Sequence, residues 1–236
     1  MFTKVNSKVV SVDVAQSGPV VARRGAMLFY TGDVRFQPHQ IAGMGAGSGG
    51  MSGIGGAIGQ RLAGEHESTL LATGHGVVHF GFRGIEVEIV DVGRVGGLIR
   101  VEASRTLAYT SGLQASVVSV TAQGGGGGGG GGGLFGSLRS AAAGAVTGQG
   151  MFTTQLSGQG QVVILGHGGV FELGVAPDRP PVTVDPQAYV AAAGQVTTTL
   201  TSNVSWRNVG RTGGEAMQLQ CAGHGTVYVQ ASEEKL

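Results

Sequence analysis

Apolar and polar residues alternate along several short stretches of the chain. Val9-Val10-Ser11-Val12-Asp13-Val14, Ile85-Glu86-Val87-Glu88-Ile89 and Thr226-Val227-Tyr228-Val229-Gln230 all change character with a period of two. Successive side chains on a strand point to opposite faces, so this period predicts half-buried β-strands. Val, Ile, Thr and Tyr dominate these runs, as a pleated surface favours. Glycine or asparagine closes most of them. No long segment carries a clear 3.6-residue period. The best helical candidate is 134–146, with Leu134, Phe135, Leu138 and an alanine run. The expected fold class is all-β.

A repeat underlies the strands. Leu70-Leu71-Ala72-Thr73-Gly74-His75-Gly76-Val77-Val78, Thr154-Gln155-Leu156-Ser157-Gly158-Gln159-Gly160-Gln161-Val162 and Leu219-Gln220-Cys221-Ala222-Gly223-His224-Gly225-Thr226-Val227 each place a G-x-G ahead of a valine-bearing strand. A second set precedes them: Phe29-Tyr30-Thr31-Gly32-Asp33-Val34, Tyr109-Thr110-Ser111-Gly112-Leu113 and Ala191-Ala192-Ala193-Gly194-Gln195-Val196. The gaps between matching glycines, Gly32 to Gly74, Gly112 to Gly158 and Gly194 to Gly223, are 42, 46 and 29 residues. Glycine-rich inserts at 42–64 and 122–150 fill the two longer gaps. Without them the units are similar in length, spanning about 8–82, 83–167 and 168–231. Units this short bury little core alone, so the three should pack into one prism-like or sandwich-like domain with pseudo-threefold symmetry. Gly74, Gly76, Gly158, Gly160, Gly223 and Gly225 are then structural, allowing positive φ at a corner or bulge.

Composition sharpens this picture. Of 236 residues 47 are glycine, and only 12% are charged, with a net charge of +1. The glycines have no period of three, which excludes collagen. Ten consecutive glycines at 124–133 predict a flexible loop inside the second unit. The insert 42–64 carries Met44, Met51, Ile54 and Ile58 and reads either as a loop or as an adhesive surface for a partner or lipid. Leu134, Phe135 and Leu138 extend the same candidate interaction surface. Lysines number three, Lys4, Lys8 and Lys235, and no basic tract appears, so nucleic acid is not an expected partner. Three stretches without Asp, Glu, Lys or Arg, 36–60, 106–138 and 140–171, are too interrupted by Gly, Gln, Ser and Thr to read as membrane spans. No apolar run of signal-peptide length opens the chain. A cytoplasmic protein is expected, with contact at the inner face of a membrane left open.

Candidate chemistry is sparse. Gly45-Ala46-Gly47-Ser48-Gly49-Gly50 matches G-x-G-x-x-G but has no βαβ context, so no cofactor is expected. His75 and His79 lie four apart, roughly 13 Å along a strand, too far to share a metal. His75, Gln159 and His224 hold the matching repeat position; they are either exposed corners or a ring around a threefold axis. No metal is expected. Glu86 and Glu88 share one strand face at the spacing of a glycosidase pair, which a solvated strand explains more simply. Asp185-Pro186 reads as the start of a turn. Cys221, the lone cysteine, excludes an internal disulfide and reads as a small buried residue. Trp206 with Arg207 and Arg211 could make a small aromatic–basic surface.

The order of Gly25-Ala26-Met27-Leu28-Phe29-Tyr30-Thr31-Gly32-Asp33-Val34, Gly64-Glu65 leading into Leu70 to Gly76, Gly148-Gln149-Gly150-Met151-Phe152 leading into Leu156 to Gly160, and Val182-Thr183-Val184-Asp185-Pro186 resembles the altered-inheritance-of-mitochondria 24-like family, also described as domain of unknown function 124. The resemblance spans most of the chain. It implies a fold similar to the tryptophan RNA-binding attenuator protein, with repeated β units that assemble further as trimers. It transfers no catalytic residues. The mitochondrial members' support of cristae-organising complexes is not carried over, because no targeting peptide is evident here.

The expected function is that of a non-enzymatic β-rich scaffold or interaction protein, supporting a membrane-associated or multiprotein assembly. Its expected partners are a protein or further copies of the chain, with a trimer favoured and peripheral membrane contact open. The alternatives are RNA binding by fold analogy, and a cupin-like site for a small ligand or metal.

Overall fold

The structure, a computed structural model, describes residues 1–41, 69–119, 152–202, 217–234 and 236. The all-β class is observed. Eight strands form a first sheet, in the order β1 (Phe2–Asn6), β2 (Val9–Asp13), β5 (Thr69–Phe80), β3 (Val20–Arg23), β8 (Thr106–Thr110), β11 (Gln161–Gly166) and β6 (Glu86–Asp91), with β4 (Met27–His39) along β5. Seven form a second, in the order β12 (Val170–Val175), β15 (Met217–Gln230), β14 (Tyr189–Ser202), β7 (Leu98–Glu102), β10 (Phe152–Ser157) and β9 (Gln114–Ser119), with β13 (Val182–Val184) beside β15. A single helical turn, α1 (Val14–Ser17), is capped by the Asp13 carboxylate, which accepts from the amides of Ala15 and Gln16.

The first sheet curls until its two ends meet. Lys4 Nζ of β1 lies 2.7 Å from Glu88 Oε2 of β6. The Val87 amide donates to the Ser7 carbonyl at 2.8 Å, and the Phe2 amide donates to Gln161 Oε1 at 2.7 Å. The result is a nearly closed barrel. Closure of this kind conceals edges that would otherwise pair with another chain.

Three strands of the barrel carry two cores. On β11, Val163 and Leu165 face the barrel interior with Val10, Val12 and Phe80. Their neighbours Val162 and Ile164 face the second sheet and pack with Ile99, Val101 and Leu156. β3 and β8 divide in the same way, with Val20 and Leu107 on one side and Val21 and Tyr109 on the other. A strand covered on both faces needs apolar residues in succession, which is why 161–166 and 20–23 lack alternation. β2 alternates as predicted, with Val10 and Val12 buried between half-exposed neighbours. β15 does not: Val227 joins a third core and Tyr228 the second, so both of its faces are covered.

The strand pairing forms two sheets, and the strands of 83–167 are divided between them. The matching glycines nonetheless meet. Gly76 pairs with Gly32 and Gly74 with Val34 across β5 and β4; Gly225 pairs with Gly194 and Gly223 with Val196 across β15 and β14. Gly112 and Gly158 are neighbours too, the Gly112 carbonyl oxygen lying 3.5 Å from where a Cβ on Gly158 would be. In the first and third units these positions are not tight corners. They lie within strands of 12 to 14 residues, where a Cβ on Gly76 or Gly225 would strike the carbonyl oxygen of Thr31 or Ala193. Close backbone approach, as much as positive φ, selects glycine there.

Candidate interaction surface

β4 begins as a run of four large apolar residues, yet Met27, Leu28, Phe29 and Tyr30 are 38, 51, 54 and 44% exposed. Its far end behaves differently: Val34 and Phe36 pack into the barrel core. Among the described residues β4 pairs with β5 alone, so its other edge carries unpaired backbone groups. A bulge shapes the exposed end. Met27 opposes Phe80 and Phe29 opposes His79, which leaves Leu28 as the extra residue and turns it over Gly81. The Phe29 ring stacks on His79 with centroids 4.1 Å apart, and Tyr30 meets Phe36 edge-on at 5.6 Å. The aromatic side chains are therefore held in place while exposed. On the second sheet β12 is also terminal, with Phe171 56% and Leu173 37% exposed.

The residues singled out from sequence are distributed as follows. Met44, Met51, Ile54, Ile58, Leu134, Phe135, Leu138 and Trp206 lie outside the described residues. His75 is exposed and opposes Asp33, while His224 opposes Gln195. Gln159 packs its amide against Gly93. Among the described residues no three His, Cys, Asp or Glu side chains gather as metal ligands would. Glu86 and Glu88 are each drawn to a lysine, Lys8 at 3.6 Å and Lys4 at 2.7 Å. Burial tends to raise the Glu86 pKa, but the amides of Glu86 and Gly168 and the Lys8 charge outweigh it, so the value lies below the usual one. Cys221 is fully buried beside Thr198, and burial pushes its thiol up. Asp185 starts a turn as expected, its carboxylate accepting from the Gln187 amide at 2.6 Å.

Two features are not written into the local sequence pattern. One is the exposure of Met27–Tyr30, because four adjacent apolar residues ordinarily mark a core strand. The other is a buried clasp at the C-terminal end. Arg105, 3% exposed, donates to Gln230 Oε1, and to the carbonyls of Gln187 and Glu234 at 3.3 and 3.1 Å. Gln230 in turn donates to the carbonyls of Gln187, Ser232 and Glu234. An isolated arginine after a serine gives no hint of burial; its acceptors come from 82 to 129 residues away.

A barrel-like sheet packed on a second sheet, with an apolar run exposed at the start of an edge strand, defines an all-β protein. The chain belongs to the family described as Mitochondrial biogenesis AIM24, which it matches over residues 2–232. Among solved structures it is similar to protein SPYM3_0169 from Streptococcus pyogenes, a crystal structure, with a TM-score of 0.64 at 17% identity over 98% of this chain and 92% of that one. At that identity the likeness establishes the fold. No curated protein matches. No helix among the described residues is long and apolar enough to cross a membrane.

Proposed function

We propose that the protein is a non-enzymatic β scaffold that acts by joining copies of itself, as a trimer, and by presenting the resulting surface to a multiprotein or membrane-associated assembly. The observation that supports this reading is the exposed start of β4, where Met27, Leu28, Phe29 and Tyr30 stand beside an unpaired strand edge. Long apolar edge strands invite pairing with another chain, and soluble proteins otherwise blunt them with charge or proline. Here proline enters only at Pro38, and the charges Asp33 and Arg35 lie beyond the apolar run. β12, with Phe171 and Leu173, supplies a second terminal strand for a head-to-tail contact that a rotation could close into a ring.

Light scattering on the eluting 236-residue chain tests the proposal. The expected mass is a multiple of 23.7 kDa, three for a trimer. The double variant Phe29→Lys, Tyr30→Lys should elute as a monomer with unchanged β-sheet content. A wild-type monomer at tens of micromolar would overturn self-assembly. An oligomer that survives the double substitution would move the contact away from β4.

A further inference from the structure

A groove of about 480 Å³ lies beside the exposed end of β4. It is lined by residues 6–9 of the turn between β1 and β2, by residues 81–84 of the loop after β5, and by Leu28. Its lining is of two kinds. Val9, Leu28 and Phe82 are apolar, while Lys8 and Arg83 are cations and Asn6 and Ser7 add polar groups. The groove is open to solvent, and its lining combines apolar residues with a few placed polar groups, as small-molecule sites do.

Both cations are available. Lys8 is half exposed, and its partner Glu86 stands off at 3.6 Å, an exposed pair that a ligand can replace at little cost. Arg83 sits with its guanidinium 5.0 Å from the centre of the Phe82 ring, and Arg23 lies over the same ring at 4.0 Å. The ring therefore packs with two guanidinium groups, of which that of Arg83 lines the groove.

The backbone at Arg83 is the telling feature. The Ile85 amide donates to the Phe82 carbonyl at 2.9 Å, and the two residues between them have φ of 49° at Arg83 and 70° at Gly84. Two positive values in succession are the pattern of a type I′ turn, whose first central position favours Asn or Gly. Arg83 is the one non-glycine with positive φ among the described residues. Strained side chains persist where they serve a purpose, and an observed outlier is sound ground for a functional inference. The turn needs no arginine; the groove gains a planar cation suited to a carboxylate or phosphate.

We propose that this groove binds a monomeric amphiphile with an oxyanion head, a phosphate ester or carboxylate. Lys8 and Arg83 take the head, and Val9, Leu28 and Phe82 cover the start of the apolar chain. The groove is formed within one copy of the chain; Leu28 borders both it and the β4 surface, whereas Phe29 and Tyr30 are not among its lining residues.

Calorimetric titration of the full chain tests it, with octyl phosphate kept below its micellar concentration and inorganic phosphate and octyl glucoside as partial probes. The expected result is one saturable site for octyl phosphate, with binding about tenfold tighter than for either partial probe. Arg83→Asn suits the turn, so it should melt about 1–4 °C higher while weakening octyl phosphate about tenfold. Lys8→Gln should weaken it several-fold, and Leu28→Ala should affect octyl phosphate but not inorganic phosphate. Octyl glucoside binding as well as octyl phosphate would overturn the proposal. So would unchanged affinity in Arg83→Asn and Lys8→Gln, no saturation by 1 mM, or capture by anionic vesicles without any binding of the monomer. The Phe29→Lys, Tyr30→Lys variant should keep the site, which separates failure of this inference from failure of the assembly reading.

Discussion

Arg83 and Gly74 both hold a positive φ, for opposite reasons. Gly74 has φ of 111°, and a Cβ there would collide with the Asp33 carbonyl oxygen on the paired strand. Gly74→Ala should therefore cost about 2–3 kcal/mol in a urea titration, through strain that nothing nearby can relieve. Gly223, with φ of 120° and the Gln195 carbonyl in the same relation, should behave alike. Arg83 meets no such obstacle, and its left-handed backbone costs about 1 kcal/mol relative to a residue that tolerates it. Arg83→Asn should accordingly gain about 0.5–1 kcal/mol in the same titration. Cys221 supplies a third test at this scale. Its thiol is buried, and burial raises its pKa further above neutrality. A maleimide at pH 7 should label it only in denaturant; rapid labelling of the folded chain would show that β14 and β15 separate easily.

At the level of elements, side chains far apart in sequence join strands that share no hydrogen-bond ladder. Glu86 on β6 accepts from the Gly168 amide at 3.0 Å, in the turn that leads to β12, and attracts Lys8 from the turn after β1. Its folded pKa lies below the usual 4.5 because these contacts outweigh burial. The stability it contributes is thus complete above about pH 4.5 and is lost as acid titrates through the lower folded value. Wild-type protein should lose more urea resistance between pH 6 and 3 than Glu86→Gln, and equal losses would discount the contact. The clasp of Arg105 and Gln230 acts on a larger piece. Gln230 satisfies the carbonyls of Ser232 and Glu234, and Arg105 that of Glu234. Gln230→Ala removes these donors and leaves the buried guanidinium short of an acceptor, a loss of about 1–3 kcal/mol. Amide exchange should then accelerate in residues 231–234 before the rest of the chain; uniform acceleration would mean that the tail is integral to the fold.

At the scale of the whole molecule, one barrel-like sheet closes through Lys4–Glu88 and the Ser7–Val87 bond while the β4 edge stays open. Closing one edge and leaving an apolar one exposed is what makes self-assembly the expected behaviour, and charge at Phe29 and Tyr30 the change that should abolish it. The strands themselves were legible, because period two in Val9–Val14 and Ile85–Ile89 reflects one wet face and one dry one. The recurrence of G-x-G was legible, but not its setting: Gly32 faces Gly76 and Gly194 faces Gly225 within paired strands rather than at corners. Local pattern carries such facts because side-chain alternation and the lack of a Cβ act within a residue or two. It could not show that β11, β3 and β8 are covered on both sides, since that depends on which sheet comes to lie against them. Nor could it show that Met27–Tyr30, as apolar as any core strand, would end at an edge. Burial is a property of neighbours, and the neighbours of β4, Arg105 and the groove at Arg83 are chosen by contacts between segments tens of residues apart. Sequence by itself determined the all-β class and the family, because side-chain alternation and motif order are local; the tertiary structure alone decided which apolar residues were left exposed, because burial depends on segments distant in sequence.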